Sequence, residues 1–350
     1  ELCAGDAVSL IVKSATLTDK NVTGSETSTK IVLELVGNSS GNYLLELNND
    51  GIEIRDTKVL PAVLAITGVP QAVEHIYDGT TNNAAEVSLA GVSLTGFSCD
   101  DTASPVLVSS SLSQKNASLR CGEAGKGDVS CDVIVKFSGA SLQNYTIDGL
   151  SADGTYTFKG IATDIAPRTL TVDMSKTVID DKVYDGKKTI DPNSVHFSAT
   201  IAGVVPGDDV KAEFISATMG TKTVGSNLVR VDAKLVGRDV SNYALNSCAD
   251  TMSHYCSVKV TKRQVNFRDL DLIVDSYPFN CGGSMDVSIS AKLPDESEYL
   301  QYDENGTPDA YYIEADNVVF YKNWEGKYVA TITLKFWGND QSNYEFIGSN

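Results

Sequence analysis

Few stretches of this sequence could do chemistry. YDENGTPD, from Tyr302, offers Asp303, Asn305 and Asp309 as oxygen ligands for a hard cation such as calcium. Asp208-Asp209 makes a similar offer. A polar turn at Asn305-Gly306 accounts for the first set more simply, so calcium is only a weak expectation and no metal site is predicted. The three histidines, His75, His196 and His254, fall at unrelated places. There is no HExxH, no nucleophile elbow and no paired-carboxylate motif, so neither catalysis nor a cofactor is expected. GEAGKGD, from Gly122, has a passing likeness to a phosphate loop but lacks the GxxxxGK[ST] spacing.

Cysteine is the remaining reactive side chain, and there are seven. Cys121 and Cys131 bracket nine residues, and Cys248 and Cys256 bracket seven. Neither pair has metal-site spacing, and each sits where a hairpin would close it, so both are predicted disulfides. Cys3, Cys99 and Cys281 cannot all pair with one another, which leaves an unpaired or intermolecular thiol. Disulfides place the chain in an oxidising compartment, secreted or at a cell surface. Sequons at Asn21, Asn38, Asn116, Asn144 and Asn305 are compatible with that and decide little.

A net charge of −18 argues against a nucleic-acid partner, whose phosphates demand a basic surface. No apolar run approaches the roughly 18 residues of a membrane helix, so no membrane span is expected. With 42% apolar residues, many Thr, Ser, Val and Gly and no clear helical period, the chain reads as globular and all-β.

The elements that must carry these residues recur. GNSSGNY, GASLQNY, GRDVSNY and GNDQSNY place Asn-Tyr at Asn42-Tyr43, Asn144-Tyr145, Asn242-Tyr243 and Asn343-Tyr344, each five residues after a glycine. The pairs are 102, 98 and 101 residues apart. A fixed period near the size of a small domain means tandem copies of one unit. Two, four and six residues before each glycine every side chain is apolar, from Ile31, Leu33 and Leu35 to Ile332, Leu334 and Phe336. Three residues before it stand Glu34, Lys136, Lys234 and Lys335. That alternation is a strand with one wet face. The glycine ends it, Asn suits the left-handed turn that follows, and Tyr starts the next strand with its hydroxyl reaching a backbone group. The pairs are therefore read as structural corners.

Further motifs bear a family resemblance. HIYDGTT (75–81) and KVYDGKK (182–188) precede the corners, and the same place in the last copy reads DSYPFNCGG from Asp275. GDAV from Gly5 matches GDDV from Gly207, and SATLTDKNVTG from Ser14 matches SATMGTKTVG from Ser216. These residues resemble the YDG-type repeats of bacterial haemagglutinin-like surface adhesins over almost the whole chain, most weakly in the last copy. The resemblance implies non-catalytic stalk modules of large surface proteins and identifies no ligand. The units run 1–59, 60–165, 166–261 and 262–350, the first without its YDG segment. The expected architecture is a tandem array of about 100-residue β-sandwich, Ig-like domains, the first incomplete, with β-grasp-like units as the alternative. An incomplete unit leaves an open edge, which has three explanations: the sequence is a fragment of a longer array, the missing strands come head to tail from a neighbouring copy as in donor-strand complementation, or the half-unit packs against the second unit.

The preferred function is a structural segment of an extracellular filament or adhesin stalk. The alternative is an adhesin that grips a glycan or host protein. It rests on the aromatics of the last unit: Tyr311, Tyr312, Phe320, Tyr321, Trp324 and Trp337.

Overall fold

A computed structural model of the chain describes residues 2–46, 51–98, 100–266, 271–274, 289–292, 301–310, 312–322, 324–325 and 328–347. The fold is all-β: 48% strand, with no helix of seven or more residues among the described residues. Contacts divide the chain into Glu1–Pro167 and Arg168–Asn350, so each compact unit holds two of the four repeats. The expected breaks after residues 59 and 261 fall inside these units.

The third repeat shows the plan. A strap, residues 168–202, opens it. The strap strand Arg168–Asp173 pairs antiparallel with Thr200–Ala202 and parallel with Tyr243–Leu245, the strand that follows the Asn-Tyr pair. A second sheet runs in the order Lys182–Val183, Thr251–Thr261, Gly225–Val236, Lys211–Met219. Its inner face carries Ala217, Met219, Val229, Val231, Val258 and Val260, and Ile179, Tyr184 and Ile190 of the strap close over it. Val229, Val231 and Ala233 are fully buried while Lys234 is exposed, so the alternation read from the sequence is the inside and outside of this sheet. The second repeat has the same mixed sheet, Ser93–Thr95, Ala62–Thr67 and Tyr145–Ile147, and the same long hairpin, Ser104–Leu112 with Val129–Ser138. In the fourth, Arg263–Asn266 pairs parallel with Tyr344–Ile347.

One irregularity marks all four copies. The first strand of each long hairpin carries an extra residue, at Lys13, Val108, Ile215 and Asp316, where the register shifts. A bulge inserted at one place four times increases local twist and aims the inward residues that follow it.

Among its described residues the first repeat forms one sheet, Ser9–Leu17, Thr27–Val36, Ile52–Thr57. Its residues 43–46 form no strand, unlike their three counterparts. Ile31, Leu33 and Leu35 are half-buried, whereas Val231 and Ala233 are fully buried.

Backbone conformation, close approach or both constrain the glycine that ends each hairpin. Gly37, Gly237 and Gly338 sit at φ +121°, +133° and +128°. A Cβ on Gly237 would lie 2.1 Å from the Asp209 carbonyl oxygen, and one on Gly139 2.4 Å from that of Thr102. At Gly37 and Gly237 both strain and overlap oppose any side chain. Gly237→Ala is expected to cost about 2–3 kcal/mol. Thermal unfolding that left the third repeat as stable as in the parent would refute this.

Candidate functional site

Each corner is a three-way hydrogen-bonded knot. After the glycine comes a single 3-10 turn, Ser40–Asn42, Leu142–Asn144, Val240–Asn242 or Gln341–Asn343. The asparagine is thus the last residue of a 3-10 turn. It is not left-handed, and Cys248 (φ +53°) is the one non-glycine with positive φ among the described residues. The tyrosine then turns into extended backbone and points its phenol back across the repeat.

The hydroxyl finds a carboxylate each time. Tyr43 donates to Asp6 at 2.5 Å, Tyr145 to Asp101 at 2.7 Å, Tyr243 to Asp208 at 2.6 Å and Tyr344 to Asp309 at 2.7 Å. It also accepts a backbone N–H, from Cys3 at 2.8 Å, Ser98 at 3.1 Å, Val205 at 2.8 Å or Gln301 at 3.3 Å. The backbone partner expected from the sequence is there, and the acid was missed. Two of the acids were visible as the Gly-Asp steps at Asp6 and Asp208. The acid lies 37, 44, 35 and 35 residues before its tyrosine, too far apart for a local motif to show.

The carboxylates of the calcium candidates are engaged within the fold. Asp309 is fully buried, bonds Tyr344, and takes the Lys222 ammonium at 2.8 Å on its other oxygen. Asp303 accepts the backbone N–H groups of Asn305 (2.9 Å) and Thr307 (2.8 Å), which hold its carboxyl below the usual range against the opposing effect of burial. It caps its own turn. Among the described residues no group of three His, Cys, Asp or Glu could hold a metal.

In the second and fourth repeats the asparagine points the other way, into the preceding repeat. Asn144 Oδ1 accepts the Val22 N–H at 2.9 Å, and its Nδ2 donates to Asn21 Oδ1 at 3.0 Å. Asn343 Oδ1 accepts the Val224 N–H at 3.1 Å. Val22 and Val224 occupy matching places at the hairpin tips of the first and third repeats. Around the second joint, Tyr344 packs edge-on against Tyr184 at 5.6 Å, and Val265 and Phe346 join the third repeat's core. Asn21 and Asn144, two of the sequon residues, have their amides engaged here.

The disulfide pairings need correction. Cys131 and Cys256 are free thiols, and Cys121 and Cys248 are each bonded to other partners. Cys131 points into the second repeat's core, where Asn83 Nδ2 donates to its sulfur at 3.7 Å. Cys121 lies instead in a loop drawn onto Ile165 by the N–H groups of Ser118 and Leu119. Cys256 stands in the middle of the strand Thr251–Thr261. Such a strand climbs about 3.3 Å per residue, carrying Cys256 well beyond disulfide reach of Cys248. Cys3 is an exposed free thiol. Cys99 and Cys281 lie outside the described residues.

GEAGKGD is an anion nest already occupied from within. The Asp164 carboxylate accepts the N–H of Lys126 (2.7 Å), Gly127 (2.6 Å) and Asp128 (3.2 Å) and the Ser118 hydroxyl (3.1 Å). Burial pushes its pKa up, but these donors outweigh that and hold it below the ordinary value.

Of the aromatic residues, Trp324 is 92% exposed at the tip between the last two long strands, and Trp337 is 41% exposed. Tyr311 and the side chains of Tyr312, Phe320 and Tyr321 lie outside the described residues. No helix among the described residues is long and apolar enough to cross a membrane.

Two expectations follow. Tyr243→Phe leaves Asp208 and the Val205 N–H without their partner and is expected to cost about 1–3 kcal/mol. Burial, then the Asp208 hydrogen bond, pushes the Tyr243 phenol up to about 12. A raised folded pKa gives stability that is whole below the unfolded value near 10 and lost as pH rises toward 12. Tyr243→Phe should therefore flatten the alkaline limb of the unfolding profile, and an unchanged limb would refute the assignment. Asp164 has the opposite sign. Its lowered pKa gives stability present above about 3.9 and lost as pH falls through the folded value. Asp164→Asn should raise amide exchange in residues 118–128 at neutral pH, and parent-like exchange would show that the carboxylate does not hold the loop.

Comparison with curated proteins finds no match to the chain. The third repeat does match a known family: a YDG domain is found at residues 166–252, from the strap through the corner to the start of the last strand.

Proposed function

We propose that the chain is a non-catalytic structural segment of an extracellular filament or adhesin stalk, assembled from β-sandwich repeats and extended by head-to-tail contact between copies. The observation that carries this reading is the recurring joint: the same asparagine of the corner takes the same hairpin-tip N–H in both described joints, at 2.9 and 3.1 Å. A joint that repeats with the repeat is a device for stacking like units, and an unclosed head-to-tail contact grows a filament. Cys121 and Cys248, each in a disulfide, support an oxidising, secreted or cell-surface setting. The YDG domain is consistent with the adhesin-type repeats that the motifs resemble.

Trp324 favours a second reading, an adhesin whose last repeat binds a glycan or host protein. Electron microscopy of native material separates the two. Strings of joined copies are expected, whereas dispersed chains that bind a glycan array and lose it in Trp324→Ala would establish the second reading. At the joint, Asn343→Ala is expected to cost about 1–3 kcal/mol and to raise amide exchange in residues 301–310 and 339–347. Parent-like exchange there would remove the joint as the basis of the proposal.

A further inference from the structure

The cleft beside the joint of the third and fourth repeats is basic, in a chain whose net charge is −18. It measures about 710 Å³, and Lys259, Lys262 and Arg263 line it against one carboxylate, Glu345. The cations are gathered for a local reason. Lys259 stands on the outward side of the strand Thr251–Thr261, and the chain then passes directly into the strand Arg263–Asn266. That strand runs parallel to Tyr344–Ile347, with Gln264 opposite Glu345. The hairpin tip at Val224 and Gly225 forms the other wall. Lys182 and Lys222 direct their ammonium groups into the fold, onto Asp185 and Asp309 at 2.8 Å each. Lys259 and Lys262 are exposed and make no such pair among the described residues. Asp181 accepts the Lys259 backbone N–H at 3.3 Å.

The matching cleft between the first and second repeats measures about 200 Å³. Tyr145 pairs with Ala62 as Tyr344 pairs with Arg263, so Leu60, Pro61 and Ala62 stand where Thr261, Lys262 and Arg263 do. The cation in its lining is Lys20, beside Asp101. One place in the fold thus carries two chemistries, and a joint forms without the three cations.

We propose that the larger cleft binds the carboxylate of an acidic sugar at the end of a glycan chain. A long polyanion would be repelled by a surface of net charge −18, whereas a single carboxylate meets the local excess of cations. The cleft has the size of a small-ligand site, and the Gln264 amide in its lining offers both a donor and an acceptor to sugar hydroxyls. Ser257 and Tyr255 continue the outward row that Lys259 ends, all three exposed. Tyr255 is 57% exposed and stands about 13 Å from Lys259 along the strand. A phenol ring on a polar, solvent-facing row is a platform for a neutral sugar. Charge at the cleft and a ring further along the same face together fit a glycan with an acidic end. The site goes beyond the stalk reading and does not involve Trp324.

Calorimetric titration of the full chain with sialyllactose tests this, with lactose as the neutral control. Binding of the acidic sugar and none of lactose is expected. Lys259→Glu and Lys262→Glu, both at exposed sites, should each weaken it by about tenfold or more, and Lys262→Arg should keep it. A parent-like thermal unfolding profile checks that these variants fold. Tyr255→Ala should weaken sialyllactose binding and leave that of free N-acetylneuraminic acid unchanged. No binding at millimolar sialyllactose overturns the proposal, and so does equal binding of lactose, which would need no cation. Heparin bound where sialyllactose is not would overturn it too, by making the cleft a polyanion site. Unchanged sialyllactose affinity in Tyr255→Ala would overturn the glycan assignment, since the anion alone would then be read. Trp324→Ala should bind as the parent does, so this site and the glycan reading of the last repeat fall separately.

Discussion

A phenol held between a carboxylate and a backbone N–H fixes the corner of every repeat. The carboxylate belongs to the residue that opens the long hairpin, and the phenol to the residue that follows its return strand. Their hydrogen bond therefore ties the two ends of the hairpin together over 35 to 44 residues. A bond to an ionised acceptor is about twice as strong as a neutral one, and burial makes a missing partner costlier than the bond is favourable. The glycine follows from the same constraint. For the phenol to reach the acid, the two backbones must close to contact, with the Asp209 carbonyl where a Cβ of Gly237 would be.

Two adjacent residues divide the work of folding and assembly. The tyrosine turns inward and closes its own repeat. At the second and fourth corners the asparagine, held at the end of a one-turn 3-10 segment, turns outward and accepts the hairpin tip of the repeat before. Because the tip sits at a fixed distance along the hairpin that the tyrosine has tied down, the joint inherits its geometry from the corner. Lys222 makes the coupling direct at the second joint: its ammonium, from the third repeat's tip, shares the buried Asp309 with Tyr344. Burial alone would lower the Lys222 pKa, and Asp309 raises it instead.

Much of this was legible in the sequence, for physical reasons that also mark where legibility stopped. Period-two alternation before each glycine needs only local information, and Val229, Val231 and Ala233 are buried as it requires. The all-β class, the corners and the repeat length follow from similar patterns. The acids did not, because a hydrogen bond across 35 residues leaves no spacing rule. Asp309 was read as part of a polar turn, with cation binding the weaker alternative, because Pro308 replaces the glycine that flags Asp6 and Asp208, so its place in the repeat was hidden. The cysteine pairs failed on a similar point. Closeness in sequence predicts closeness in space only across a turn, and Cys256 lies along a continuous strand.

The order of elements within a repeat explains why its core divides so cleanly. The long hairpin and its third strand are joined by local connections and can pair early, at little loop-closure cost. The strap comes first in sequence, yet its opening strand pairs parallel with the strand after the corner, a contact that cannot form until the hairpin between them has folded. The strap then adds apolar burial to a sheet already paired, at about 25 cal/mol for each Å² removed from water.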